Sequence, residues 1–144
     1  GNKEITYEAM KKIIKFESVS SDQQEYFLRV LQAMTSEQRS ELLKFSTGRV
    51  RLPAQSSGEM TLHVDRANGV RDRLPTASTC FNQFHMPQYS SFDKALKMIT
   101  VAIEYTGTFE NRWKKKEKEN YFILLYKVIF LKNKKNVRNK MRRL

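Results

Sequence analysis

Cys80 is the only cysteine in the chain, with His85 five residues after it and His63 further back. A thiolate is both a good nucleophile and a metal ligand, so a cysteine with histidines raises both chemistries. One thiol and two imidazoles fall short of a zinc site, and one cysteine cannot form an internal disulfide. Nothing else calls for a cofactor. A lone cysteine is ordinarily a small buried apolar side chain, and the residues around it must say otherwise before it counts as a nucleophile.

Several elements are available to position it. Phe27, Val30, Leu31 and Met34 fall on one stripe of an amphipathic helix beginning near Asp22, with Ser20 or Ser21 to cap it. Thr35-Ser36-Glu37-Gln38 has the form of a capping box, opening a second helix that carries Leu42, Leu43 and Phe45. Gly48 is placed to end that helix in the left-handed conformation of a C-cap. Residues 60–64 alternate Met60, Leu62 and Val64 against Thr61 and His63, which predicts a half-buried strand with His63 toward solvent. Residues 76–84, rich in Thr and Phe, read as a second strand leading into or out of a loop, closed by Pro87.

Ser90 as cap with Asp93 as its partner predicts a third helix along Phe92, Leu96, Ile99 and Ile103, stopped by Gly107. Residues 5–15 suit a short helix or an extended lead-in equally well, and residues 16–21 read as a connection. Residues 51–59 read as loop, and Asn68-Gly69 marks a turn. Phe81, Phe84 and Tyr89 are expected as core or loop anchors. The sum is an α+β domain, a short β-sheet packed with several α-helices.

The net charge of +12 suggests an anionic partner until its distribution is considered. Residues 114–144 hold 12 Lys and Arg against Glu117 and Glu119, whereas residues 1–113 hold 15 against 13 acidic residues. The basicity belongs to the tail, so a nucleic-acid function for the whole domain does not follow from it. The apolar run at 121–131 is 11 residues long, too short to cross a bilayer as a helix. Its Lys, Asn, Ile, Phe, Tyr and Leu are also what AT-rich non-coding DNA yields on translation, and a tail without function is the favoured reading. A basic arm on a membrane or nucleic acid, and a helix packing back on the domain, are the alternatives. The lone thiol and the lack of a visible signal peptide favour cytosol or nucleus. A start at Gly1 rather than Met suggests a piece of a longer protein.

The residues around Cys80 carry a resemblance. Leu74-Pro75, Thr79-Cys80, Met86-Pro87 and Tyr89-Ser90-Ser91 match, in order and spacing, the active-site signature of HECT ubiquitin ligases. The segment ELLKFSTGRVRLP at 41–53 resembles the family helix ending in Phe-x-Thr-Gly, followed by Arg-Leu-Pro. Residues 61–65 resemble the family strand before the cysteine, residues 95–104 its last helix, and Phe109 its C-terminal phenylalanine. The similarity spans about residues 5–110. Ser78 stands where the family often has His, and His85 where it often has an acid, which puts an acid-base role for either position in doubt. The 35 residues after Phe109 also exceed the family's usual length, so a role for a free terminal carboxylate does not carry over.

The resemblance implies the C-terminal lobe of such a ligase, with residues 1–21 as hinge region or end of the N-lobe, 22–110 as C-lobe and 111–144 as a basic extension. It implies that Cys80 takes ubiquitin from a conjugating enzyme as a thioester and passes it to a substrate lysine. Leu74, Pro75, Thr79 and Phe81 would support the active-site loop, and His85 and Phe109 would be auxiliary. Ubiquitin, the conjugating enzyme (docked mainly by an N-lobe) and a protein substrate are the implied partners. Activity of this piece alone is expected to be low. The alternatives are a lobe that binds ubiquitin without transferring it, and an adaptor driven by the basic tail.

Overall fold

The computed structural model describes residues 4–54 and 59–108. Helix α1 (Tyr7–Ile13) starts at Thr6, whose Oγ1 accepts from the Ala9 N–H at 3.1 Å, and the chain passes directly into strand β1 (Ile14–Glu17). Both readings of residues 5–15 therefore hold in succession. The connection expected at 16–21 is corrected: Phe16 and Glu17 belong to β1, and Ser18, at φ 58°, makes the turn out of it.

Helix α2 (Ser21–Ala33) buries Phe27, Val30 and Leu31, with Met34 buried at its end, as the stripe predicts. Its cap residue is Ser20, although the Ser20 hydroxyl turns to Asp22 at 2.5 Å rather than to a backbone N–H. Helix α3 (Ser36–Thr47) has the full capping box: Gln38 N–H donates to Thr35 Oγ1 at 3.2 Å, and Thr35 N–H to Gln38 Oε1 at 2.9 Å. Gly48 ends it at φ 78°, where a Cβ would be strained.

Strand β2 (Leu62–Arg66) follows, then β3 (Thr76–Ser78), a single 3-10 turn (Thr79–Phe81), and β4 (Gln83–Met86). The strand expected over 76–84 is thus two antiparallel strands folded about Cys80. Asn82, at φ 51°, reverses the chain between them. Helix α4 (Phe92–Thr108) is capped by Ser91, whose Oγ accepts from Lys94 N–H at 3.2 Å. Ser90, the expected cap, is instead held by Asp72, and the helix continues through Gly107 instead of stopping there.

The sheet order is β1-β2-β4-β3, with β1, β2 and β4 parallel and β3 antiparallel to β4. One face is apolar. Leu62, Val64, Phe84 and Met86 alternate onto it and meet α2, α3 and α4. Phe84 stands edge-on to Phe27 of α2 at 5.3 Å and to Phe45 of α3 at 5.8 Å, and Phe27 meets Phe16 of β1 at 5.8 Å. The fully buried Phe27 and Phe84 contribute about 1.5–3 kcal/mol each, and the partly buried Phe16 and Phe45 less. The other face is polar, with Glu17, His63, Asp65, Gln83 and His85 half-buried. Among the described residues no helix is long and apolar enough to cross a membrane.

Candidate active site

Cys80 is exposed, at the middle of the 3-10 turn joining β3 to β4. The turn is closed by Asn82 N–H donating to the Thr79 carbonyl at 3.2 Å. It is fixed to the sheet because the Asn82 carbonyl accepts from His63 N–H at 2.8 Å, and it packs against α3. The sulfur thus sits on a short reversal anchored at both ends by strand pairing.

The surrounding signature residues build the frame under this turn. Tyr89 is buried, and its hydroxyl donates to the Arg73 carbonyl at 2.9 Å, directly before Leu74-Pro75. Burial pushes the Tyr89 phenol well above the ordinary tyrosine range, so it stays a neutral donor. Buried Gln23 of α2 holds both backbone groups of Tyr89: its Nε2 donates to the carbonyl and its Oε1 accepts from the N–H, each at 2.9 Å. Asp72 accepts from the N–H and the hydroxyl of Ser90, both at 2.8 Å. Those two bonds hold the Asp72 carboxyl below the usual aspartate value. Ser91 caps α4. The segment at 87–91 thereby ties the loop at 67–75 to helices α2 and α4.

The other expected site residues are placed unevenly. Pro75 is buried beneath the entry to β3, whereas Leu74 is 41% exposed and Thr79 is exposed. Phe84 and Tyr89 are core residues as expected, but Phe81 is 71% exposed and anchors nothing. It stands beside Cys80 as an apolar side chain presented to solvent. Phe109 and the tail at 114–144 lie outside the described residues.

His85 is engaged on both ring nitrogens, with Asp65 Oδ1 2.6 Å from Nδ1 and Ser78 Oγ 2.8 Å from Nε2. His63 makes one such pair, its Nδ1 2.7 Å from Glu17 Oε1, rather than facing solvent freely. Asp65 and Glu17 were not singled out from sequence. Alternation along β2 puts Asp65 and His63 on one face, but only the register of β1, β2 and β4 shows what each meets.

Comparison with known proteins places this arrangement in context. The family model described as HECT-domain (ubiquitin-transferase) matches residues 1–112. The chain is 32% identical over 93 residues to E3 ubiquitin-protein ligase ptr1 of Schizosaccharomyces pombe, covering 60% of this chain and 3% of that protein. It is 35% identical over 97 residues to E3 ubiquitin-protein ligase HUWE1 of Mus musculus, covering 62% of this chain and 2% of the relative. With E3 ubiquitin-protein ligase NEDD4 of Mus musculus the identity is 37% over 92 residues, or 59% of this chain and 10% of the relative. The chain therefore spans a small part of these relatives' length. Matched over most of its own residues, it belongs to the HECT-domain (ubiquitin-transferase) family.

Proposed function

We propose that Cys80 is the acyl acceptor of a ubiquitin ligase, taking ubiquitin from a conjugating enzyme as a thioester and delivering it to a lysine of a protein substrate. The observation that carries this reading is the placement of the one cysteine: exposed, on a turn fixed to the sheet through Asn82, with the signature residues Tyr89 and Ser90 holding the loop that leads into β3. A bulky thioester donor reaches such a sulfur without the fold opening.

The chemistry asks little of a base. The Cys80 thiolate attacks the donor carbonyl, a C–S bond forms, the donor's C–S bond breaks, and a thiolate replaces a thiolate. Because the exchange is close to thermoneutral, orientation of the two partners is the main lever on rate. A lysine amine then attacks the Cys80 thioester, loses a proton, and leaves an amide and free Cys80. Ubiquitin, conjugating enzyme and substrate are the partners this reading requires, in cytosol or nucleus.

The test uses the full-length protein with activating enzyme, conjugating enzyme and ubiquitin. A ubiquitin adduct removed by reducing thiol and absent in Cys80→Ala is expected. An adduct that survives in Cys80→Ala overturns the assignment. Ubiquitin bound by the protein with no adduct formed would favour the binding-lobe reading instead.

A further inference from the structure

The polar face of the sheet carries a second constellation. Register sets Asp65 opposite His85 across β2 and β4, and Thr76 opposite His85 across β3 and β4. Ser78, two residues beyond Thr76, shares that face. Three adjacent strands thus bring a carboxylate, an imidazole and a hydroxyl into line, at 2.6 Å and 2.8 Å.

The order of atoms matters more than the distances. A carboxylate can only accept, so beside a neutral imidazole Asp65 selects the tautomer with its proton on His85 Nδ1 and leaves Nε2 as an acceptor. Ser78 Oγ–H then donates to Nε2. This is the nucleophile, base and orienter arrangement that activates a serine hydroxyl. The side chains of Asp65 and His85 are each 25% exposed, and Ser78 is half-buried, so a small acyl donor has access.

We propose that Ser78 is a second acyl acceptor, activated by His85 and Asp65, for the carbonyl groups of activated esters and thioesters, including an acyl group carried by Cys80. Ser78 Oγ forms a C–O bond to the carbonyl carbon while its proton passes to His85 Nε2. The tetrahedral intermediate collapses with loss of the C–S bond, and the Cys80 thiolate leaves and takes up the proton from the imidazolium. No oxidant or further reactant enters. Two residues of chain separate the Cα atoms by at most about 7 Å, which keeps an acyl group on Cys80 near Ser78. An oxygen ester is less reactive toward amines than a thioester, so this transfer withdraws cargo from ligation until water releases it.

The ester activity stands apart from the ligase reading, whereas transfer from Cys80 rests on it. The test is therefore run first on the whole chain carrying Cys80→Ala, with p-nitrophenyl acetate as probe and peptide mapping by mass spectrometry. Acetylation at Ser78 well ahead of every other serine is expected, stable to neutral hydroxylamine as an oxygen ester is. His85→Asn is expected to slow it by about a hundredfold, the lower range for a positioned base, and Asp65→Asn by less. Labelling of Ser78 no faster than the other serines overturns the proposal, and that comparison holds even where a histidine or aspartate variant unfolds. An unchanged rate in a folded His85→Asn variant overturns it equally. In the wild-type chain, an acetyl thioester should first give a thiol-labile adduct at Cys80 and then a thiol-resistant one at Ser78. Failure at Cys80 in that arm, with Ser78 still labelled by the ester, would overturn the Cys80-to-Ser78 transfer and count against the ligase reading, while leaving the ester activity of Ser78 standing.

Discussion

From inside the core, the Tyr89 hydroxyl donates to the Arg73 carbonyl and fixes where the chain enters Leu74-Pro75. Tyr89→Phe keeps the ring's packing and removes only that bond, leaving the carbonyl without its partner. A loss of about 1–2 kcal/mol is expected in urea unfolding, because an abandoned acceptor costs more than a net hydrogen bond contributes. An unchanged unfolding midpoint would mean that water replaces the phenol freely. Asp72 acts on the same loop through charge. Its carboxyl titrates below the ordinary value of 3.8 because Ser90 donates to it twice. The depressed folded value makes the contribution fully present above about pH 4 and lost as pH falls through the folded titration. Asp72→Asn should therefore destabilise the chain at neutral pH and have progressively less effect as the wild type is acidified. A destabilisation that stays constant from pH 7 down to pH 3 would show that the carboxylate charge is irrelevant.

Between elements, Arg39 of α3 is the main polar clasp. Its Nε donates to the Leu31 carbonyl at 3.0 Å, Nη1 to the Ile5 carbonyl at 3.1 Å and Nη2 to the Gln32 carbonyl at 3.2 Å. Two of these are carbonyls of the last turn of α2, where backbone partners run out; the Leu31 carbonyl is shared with the Met34 N–H at 3.4 Å. Lysine carries the charge but not the planar fork, so Arg39→Lys should lose about 1–2 kcal/mol and fray the end of α2. Hydrogen exchange at the α2 C-terminus measures this directly; unchanged protection there would contradict it. Helices α2 and α3 were legible because each rests on local chemistry, and α4 was legible in its apolar stripe but not at its ends. The Phe27–Met34 stripe, the Thr35–Gln38 box and the Gly48 cap need no information from elsewhere in the chain. The sheet was legible only in part. β1 is only four residues long, and although Ile14-Lys15-Phe16-Glu17 alternates, so short a run between a helix and a turn becomes a strand because it can pair with Leu62–Asp65, a register the sequence does not display. Residues 76–84 have strand composition throughout, and the break at Cys80 depends on Asn82 adopting a positive φ. Ser90 and Ser91 are equally good caps by type, and Asp72, arriving from another loop, takes the first and leaves the second. The signature around Cys80 was legible as a pattern, while its partners Arg73, Asp72 and Gln23 emerged only from the folded contacts.

At the scale of the whole molecule, the described fold supplies an exposed sulfur and a hydrogen-bonded frame, and the relatives it matches are much longer chains. The three relatives are covered over only 2–10% of their length. On the proposed function, most of the rate must come from bringing a charged conjugating enzyme to Cys80 and holding it there, because thioester exchange itself needs orientation more than acid-base help. A short flexible tether between a docking region and this fold would present the donor at an effective concentration in the millimolar range. Against free conjugating enzyme at about 1 µM, that is a gain of roughly a hundred- to a thousandfold in encounter at Cys80. By itself the 144-residue chain should therefore form the Cys80 thioester at least about a hundredfold more slowly than the same chain tethered to a docking region for the conjugating enzyme, at equal enzyme concentrations. Raising the conjugating enzyme toward millimolar should close most of that gap, since the sulfur and its frame are the same in both. Single-turnover measurement of the thiol-labile adduct tests both statements. Equal rates at about 1 µM would put the docking surface within this chain, and a gap that persists at high concentration would mean that the tethered docking region reshapes the Cys80 turn rather than delivering the donor to it.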